Sequence, residues 1–237
     1  KVHVKRVIKM YGKMIEKIYN YAPVLFLVVG LILWLIIFYV NKQFNTYSDG
    51  SVWSVLSLVF ILVFTVSGVV IKNLYHQVHT DTLTGLHNRK YFFAKLSEIK
   101  ANDRFSLILI DLDDFKNVND TYGHIAGDQV LQQFAEILHH NTRKDDIIAR
   151  WGGEEFAIIL PNTPCEVAYK IADRIRTVVE QHVFSYHAVT CSITISIGLG
   201  SAKKELDFGT EHFIKIVDEA LYKAKEKKNS IVAVMGD

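Results

Sequence analysis

Asp111, Asp113 and Asp114 stand at the end of an apolar run, FSLILIDL, and Lys116 follows directly. Carboxylates at the exit of an apolar element sit where ligands commonly bind. Buried without a partner they would be costly, so they require a cation or solvent. Their hard oxygens suit Mg2+, which takes one or two protein carboxylates and completes its shell with water and phosphate. The plainer alternative is a solvated acidic turn, or a helix N-cap supplied by Asp113 or Asp114. About forty residues further on, Gly152-Gly153-Glu154-Glu155-Phe156 places two more acids on a glycine turn, where a backbone without Cβ atoms lets a ligand approach closely.

Other polar residues gather nearby in sequence. Asn119 and Asp128 lie in NDTYGHIAGD, Lys225, Lys227 and Lys228 in ALYKAKEKKNSIV, and Arg143-Lys144-Asp145-Asp146 forms an RxxD pattern with five residues between Asp146 and Gly152. Taken singly, Asn and Asp are helix caps, the lysines a solvated helix end favourable to the macrodipole, and RxxD a surface ion pair. The 10 histidines show no metal-ligand spacing, and His124 reads as structural. The two cysteines, Cys165 and Cys191, lack CxxC spacing, which argues against a disulfide framework and a thiolate metal site. With 27 Lys and Arg against 25 Asp and Glu, nothing general favours a nucleic-acid polymer or an acidic partner.

The elements that must position these groups follow from hydrophobic pattern. Residues 89–100 read as a helix, 105–112 as a strand buried on both faces, and 127–141 as a helix. Residues 147–151 and 155–160 read as two short strands joined by a Gly-Gly hairpin. A helix over 163–182, a β-branched strand over 189–199, a helix over 209–227 and a strand over 231–234 complete the pattern. Helices alternating with strands and one hairpin predict an α+β fold with a central mixed β-sheet flanked by helices.

Upstream, PVLFLVVGLILWLIIFYV (23–40) and VWSVLSLVFILVFTVSGVVI (52–71) carry no charge. A spanning helix needs about 20 apolar residues. Aromatic residues cluster near the ends of both runs, as at membrane interfaces. The expected organisation is a basic segment over 1–20, two transmembrane helices within 21–72, a linker helix over 73–80 and a soluble domain over 81–237. Lys1, Lys5, Arg6, Lys9, Lys13 and Lys17 precede the first span with only Glu16 opposing them, which places the N-terminus, and after two spans the soluble domain, in the cytoplasm. The expected location is the inner (cytoplasmic) membrane. Within 1–20 the residues Val4, Ile8, Tyr11, Ile15 and Ile18 form one apolar helical stripe, fit to pair with a copy, to lie on anionic lipid, or simply to connect to sequence upstream. Beginning at Lys1, the sequence is expected to be part of something longer.

The set DTLTGLHNR, IDLDDFKNVND and GGEEF, in this order and spacing over about residues 79–235, resembles the GGDEF family of diguanylate cyclases, with GGEEF at the signature. The resemblance implies condensation of two GTP molecules into cyclic di-GMP with pyrophosphate release, two Mg2+ ions per active site (Mn2+ as a substitute), and a homodimer in which two domains face each other. It implies that Asp111, the backbone of Leu112, Glu154 and Glu155 hold the metals, with Glu154 or a neighbouring base deprotonating the ribose 3′-hydroxyl. Asn119 and Asp128 would read guanine, while Lys116 and Lys225 would contact phosphate. The family carries a glycine and then an arginine before the Asn near 229; this chain offers Lys228 instead, without the planar arginine fork. Arg143 and Asp146, with Arg174, match the inhibitory product site for cyclic di-GMP. The competing reading is a catalytically idle receptor of GTP or cyclic di-GMP that signals through a partner.

Overall fold

The computed structural model describes residues 2–44, 50–99, 104–187, 189–203 and 209–235. The chain divides into two compact units, Lys1–Val78 and His79–Asp237. In the first unit, helix α1 (Val2–Phe44) runs through Pro23, and helix α2 (Gly50–His79) follows. Residues 45–49, between the two helices, lie outside the described residues. Two stretches, Tyr21–Val40 with mean hydropathy 2.8 and Val55–His79 with 2.5, are long and apolar enough to cross a membrane. Most of their apolar side chains point outward along both helices. The two helices approach closely where Gly68 meets the Pro23 backbone, because a Cβ at 68 would fall 2.5 Å from the Pro23 Cα. Tyr19 and Tyr75 stack at 4.7 Å.

The second unit begins with β1 (His87–Asn88) and α3 (Arg89–Glu98), the latter capped by Asn88 accepting the Tyr91 N–H. Then come β2 (Arg104–Leu112), α4 (Phe115–Tyr122), α5 (His124–His140), β3 (Ile147–Gly152) and β4 (Glu155–Pro161). The chain continues through α6 (Cys165–Gln181), β5 (Phe184–Tyr186), β6 (Val189–Cys191), β7 (Ile195–Lys203), α7 (Gly209–Lys227) and β8 (Ile231–Met235). Six strands form one sheet in the order β1-β3-β4-β2-β7-β8. The β2 strand pairs antiparallel with β4 and β7, whereas β1–β3 and β7–β8 are parallel, so the sheet is mixed as expected.

The unbroken apolar run of β2 now has its physical reason. Ile108, Ile110 and Leu112 enter a core with Phe134 and Leu138 of α5 and Ile171 and Ile175 of α6. Leu107 and Leu109 face the other way, toward Phe92 and Leu96 of α3 and Phe213 and Val217 of α7. A strand covered by helices on both faces has no polar side to alternate with. Gly198 in β7 lets α7 lie against the sheet, since a Cβ there would come 2.4 Å from the Val217 carbonyl oxygen.

One element went unread and one reading of local structure is corrected. The segment after Asp114 forms α4, an eight-residue helix that buries only Phe115 and Val118 and so shows too short an apolar pattern to stand out. The strand read over 189–199 is two strands: β6 turns back onto β5 in a separate hairpin, with His187 at φ 51 in the turn, and β7 starts at Ile195.

Candidate active site

Both acidic segments lie at the same end of the sheet, one at the exit of β2 and the other at the entry to its neighbour β4. In the β2–β4 register Asp111 lies opposite Glu155, and the Leu112 N–H approaches the Glu154 carbonyl at 3.4 Å. The signature turn joins β3 to β4 with Gly153 at φ 44, a left-handed conformation that suits glycine. Asp111 is only 7% exposed. Burial, helped by the charges of Glu154 and Glu155, pushes its carboxyl up to about 6, against the pull of Lys225. The Lys225 ammonium, projecting from the last turns of α7, contacts Asp111 Oδ2 at 2.6 Å. Burial works to lower that ammonium, but the bond to Asp111 and the charges of Asp111, Glu155 and Glu154 outweigh it and hold it above its ordinary value.

This donor set fits Mg2+. It consists of oxygen ligands around a buried carboxylate that demands positive charge. Among the described residues no three His, Cys, Asp or Glu side chains converge into a ready-made cage. A hard ion that completes its shell with water and phosphate does not need one.

The other predicted site residues fall in three places. Asn119 on α4 and Asp128 on α5 sit on a short helical hairpin whose joint is Gly123, at φ 82, with its N–H bonded to the Asn119 carbonyl. The Asn119 side chain packs over Gly127, where any Cβ would collide with its Oδ1, so it lies beside the residue preceding Asp128. Lys116 is exposed on the first turn of α4. Arg143, Asp146 and Arg174 come together as lining of one cleft of ≈ 270 Å³. The RxxD segment is a turn in which Asp146 accepts the Arg143 N–H at 2.7 Å, and Arg174 donates to the Asn141 carbonyl at 2.8 Å. Burial raises the Asp146 carboxyl above its ordinary value, partly offset by that bond and by Arg143.

Lys228 follows α7 directly. It occupies the left-handed position just past α7, at φ 55, with its N–H bonded to the Ala224 carbonyl at 2.9 Å. That is the place where a glycine normally ends a helix. The Lys228 ammonium pairs with Asp114 at 2.6 Å. Asp114 is the N-cap residue of α4 but makes no side-chain capping bond.

Sequence reasoning overlooked Arg150 and Asp81. Arg150 donates through Nε and Nη2 to the Gly153 carbonyl at 2.9 and 2.8 Å, and through Nη1 to Asp81 at 3.2 Å. Asp81 also accepts the Thr84 N–H and hydroxyl. Burial works to raise the Asp81 carboxyl, but the Thr84 bonds and Arg150 together hold it below the usual range. The start of the domain is thereby tied to the signature turn. The signals were an Asp followed three residues later by Thr, the pattern of a local side-chain turn, and a single arginine inside an apolar strand.

A mixed sheet with helices on both faces, carrying acids at the exit of its central strand and on the adjacent glycine turn, makes this an α+β domain with an acidic site at one end of its sheet. Residues 78–230 match the model of the diguanylate cyclase GGDEF domain, and the chain belongs to that family. Diguanylate cyclase A of Treponema denticola is 35% identical over 202 residues, covering 82% of this chain and 53% of that protein. Response regulator PleD of Caulobacter vibrioides is 41% identical over 172 residues, covering 68% of this chain and 38% of the relative. The chain thus spans about half or less of the length of these relatives. The crystal structure of the coiled coil and GGDEF domain of DgcB from Caulobacter crescentus, in complex with c-di-GMP, superposes with a TM-score of 0.68 at 26% identity, covering 78% of this chain and all of that one.

Proposed function

We propose that the chain is a membrane-tethered diguanylate cyclase that converts two GTP molecules into cyclic di-GMP and two pyrophosphates. The observation that carries this reading is the pairing of Asp111 with Glu155 across adjacent strands, beside the Lys225 ammonium. Asp111, the Leu112 backbone, Glu154 and Glu155 would hold two Mg2+ ions, which stabilise the attacking oxygen, the α-phosphoryl charge and the leaving pyrophosphate when bound. Mn2+ would serve in their place. Glu154 is the group suited to take the 3′-hydroxyl proton as that oxygen bonds to the α-phosphorus of the other GTP and the bond to pyrophosphate breaks. Asn119 and Asp128 would meet the guanine edge with matching donors and acceptors. Lys116 and Lys225 would offset triphosphate charge. For Lys225 this would mean exchanging Asp111 for phosphate. Lys228, on Asp114, would add charge at the rim rather than a phosphate fork.

Two such domains must face one another, because each supplies one nucleotide; alignment in a homodimer replaces a bimolecular search. The two apolar helices and the basic segment before them support an inner-membrane anchor with the catalytic domain in the cytoplasm. The cleft at Arg143, Asp146 and Arg174 would hold cyclic di-GMP and lock the pair in an unproductive arrangement.

The test is chromatographic product analysis with the chain reconstituted in lipid vesicles and supplied with GTP and magnesium. Cyclic di-GMP and pyrophosphate are expected, and Glu155→Ala should lower turnover at least about a hundredfold, the scale of one lost charge-stabilising contact. Equal turnover by that variant removes these carboxylates from the chemistry, and nucleotide binding without turnover points to a receptor. Added cyclic di-GMP should slow the parent chain but not Arg143→Ala; inhibition unchanged by that substitution refutes the regulatory assignment.

A further inference from the structure

We propose that Asp113, which has no part in the chemistry described above, is a positioning residue whose buried carboxylate ties the metal-holding end of β2 to the phosphate-contacting end of α7. The inference rests on the cyclase reading for what is being positioned. Asp113 is 6% exposed, unusual for an ionisable side chain unless it is fully partnered. Its Oδ1 accepts the Ser196 hydroxyl at 2.6 Å; its Oδ2 accepts the Thr194 hydroxyl at 2.7 Å and the Asn229 N–H at 2.9 Å. Its own N–H donates to the Thr194 carbonyl at 2.9 Å. The anchor continues outward, since the Asn229 side chain accepts from Arg176 at 2.9 Å and donates to Glu180 at 2.7 Å, both on α6.

Three pieces of chain therefore meet on one carboxylate. The first is the exit of β2, where Asp111 and Leu112 precede Asp113, and Lys116 and Asn119 follow on α4. The second is the start of β7, where Ser196 is the register partner of Asp111. The third is the turn after α7, where Asn229 comes one helical turn beyond Lys225. Every group aimed at the carboxylate is a donor, so a carboxylate accepts them all, whereas an asparagine would turn an NH2 toward one of them. Shifts at residue 113 would move ligand groups on both sides of the substrate. Partners of this kind around metal ligands are worth about 10- to 100-fold in metal affinity.

A through-space effect of the Asp113 charge gives a different pattern from positioning, and the two can be separated. Removing a hydroxyl donor leaves the negative charge in place and less neutralised, so by charge alone metal would bind more tightly. By positioning it would bind more weakly.

The experiment uses the full chain in lipid vesicles. Mn2+ binding is followed by electron paramagnetic resonance in the presence of 3′-deoxy-GTP, which binds but has no hydroxyl to react. Thermal unfolding is recorded in parallel. Asp113→Asn is expected to weaken Mn2+ binding about 10- to 100-fold, and Thr194→Val to weaken it by a smaller factor with its unfolding midpoint close to that of the parent. Should Asp113→Asn fail to fold, Thr194→Val decides the matter. Unaltered or tighter Mn2+ binding by Thr194→Val overturns the proposal, as does a weakening seen only where the protein has begun to unfold. Because this readout needs no turnover, a parent chain that binds Mn2+ and nucleotide but makes no product defeats the cyclase reading and leaves the positioning role intact.

Discussion

Replacing Arg150 by lysine tests whether the signature turn is held from the start of the domain. The guanidinium makes two bonds to the Gly153 carbonyl, at 2.9 and 2.8 Å, and an ion pair with Asp81 at 3.2 Å. The side chains of the pair are 16% and 22% exposed, so screening by solvent is incomplete. A lysine keeps the charge but cannot reach both partners with a rigid fork. Losing one or two such bonds, at about 1 kcal/mol each, predicts a loss of about 1–2 kcal/mol. For a domain of this size that lowers the melting temperature by roughly 2–8 °C. The catalytic effect should be larger, because a displacement of about 1 Å at Glu154 and Glu155 costs on the order of a hundredfold in rate. Differential scanning calorimetry and GTP turnover on the same preparation measure both. A double-mutant cycle with Asp81→Asn should show a coupling of about 0.5–3 kcal/mol, as for side chains in direct contact. An Arg150→Lys chain that melts and turns over like the parent, or a cycle with zero coupling, would refute the idea that this arginine holds the turn.

Two further predictions follow from the site. The Asp111 carboxyl is pushed up to about 6, so without metal it gains its proton as pH falls through 6 and must release it for a cation to bind. Apparent Mg2+ affinity, measured by titration from pH 5 to 8, should fall roughly tenfold per pH unit below about 6 and level off above it; a flat profile contradicts the assignment. The same raised value has a sign for stability: the folded state holds this proton more tightly than the unfolded chain, so the contribution of Asp111 without metal is lost as pH rises from the ordinary carboxylate range through 6. Lys228→Gly removes a left-handed side-chain conformation at φ 55 and gives up only a surface ion pair with Asp114. The melting temperature should rise by roughly 1–4 °C, and a fall would show that the pair with Asp114 outweighs the backbone strain.

Much of the local structure was legible because single segments carry their own periodicity. The 209–227 helix has the bounds its pattern gives, and FSLILIDL reads as a strand covered on both faces. The α4 helix was not legible, because FKNVNDTY spends only two residues on the core. The break between β6 and β7 was hidden as well, since Val, Thr and Ile favour strands without saying which partner they will find.

Local pattern predicted, from the sequence alone, the mixed sheet and the two apolar N-terminal helices, and the family resemblance grouped Asp111, Glu154 and Glu155 in one chemical set. Only the tertiary structure shows how the neighbouring acids are partnered. Asp111, still in β2, meets Glu155, whereas Asp113, two residues on and just past the strand, turns inward to donors 81, 83 and 116 positions along the chain. It also decided that Lys228 ends a helix in a left-handed turn and that Arg150 reaches back to Asp81. The physical reason is that periodicity reports the environment of a face. The partner of a buried charge depends on which strands and helices pack together, and that choice is made by the whole core at once.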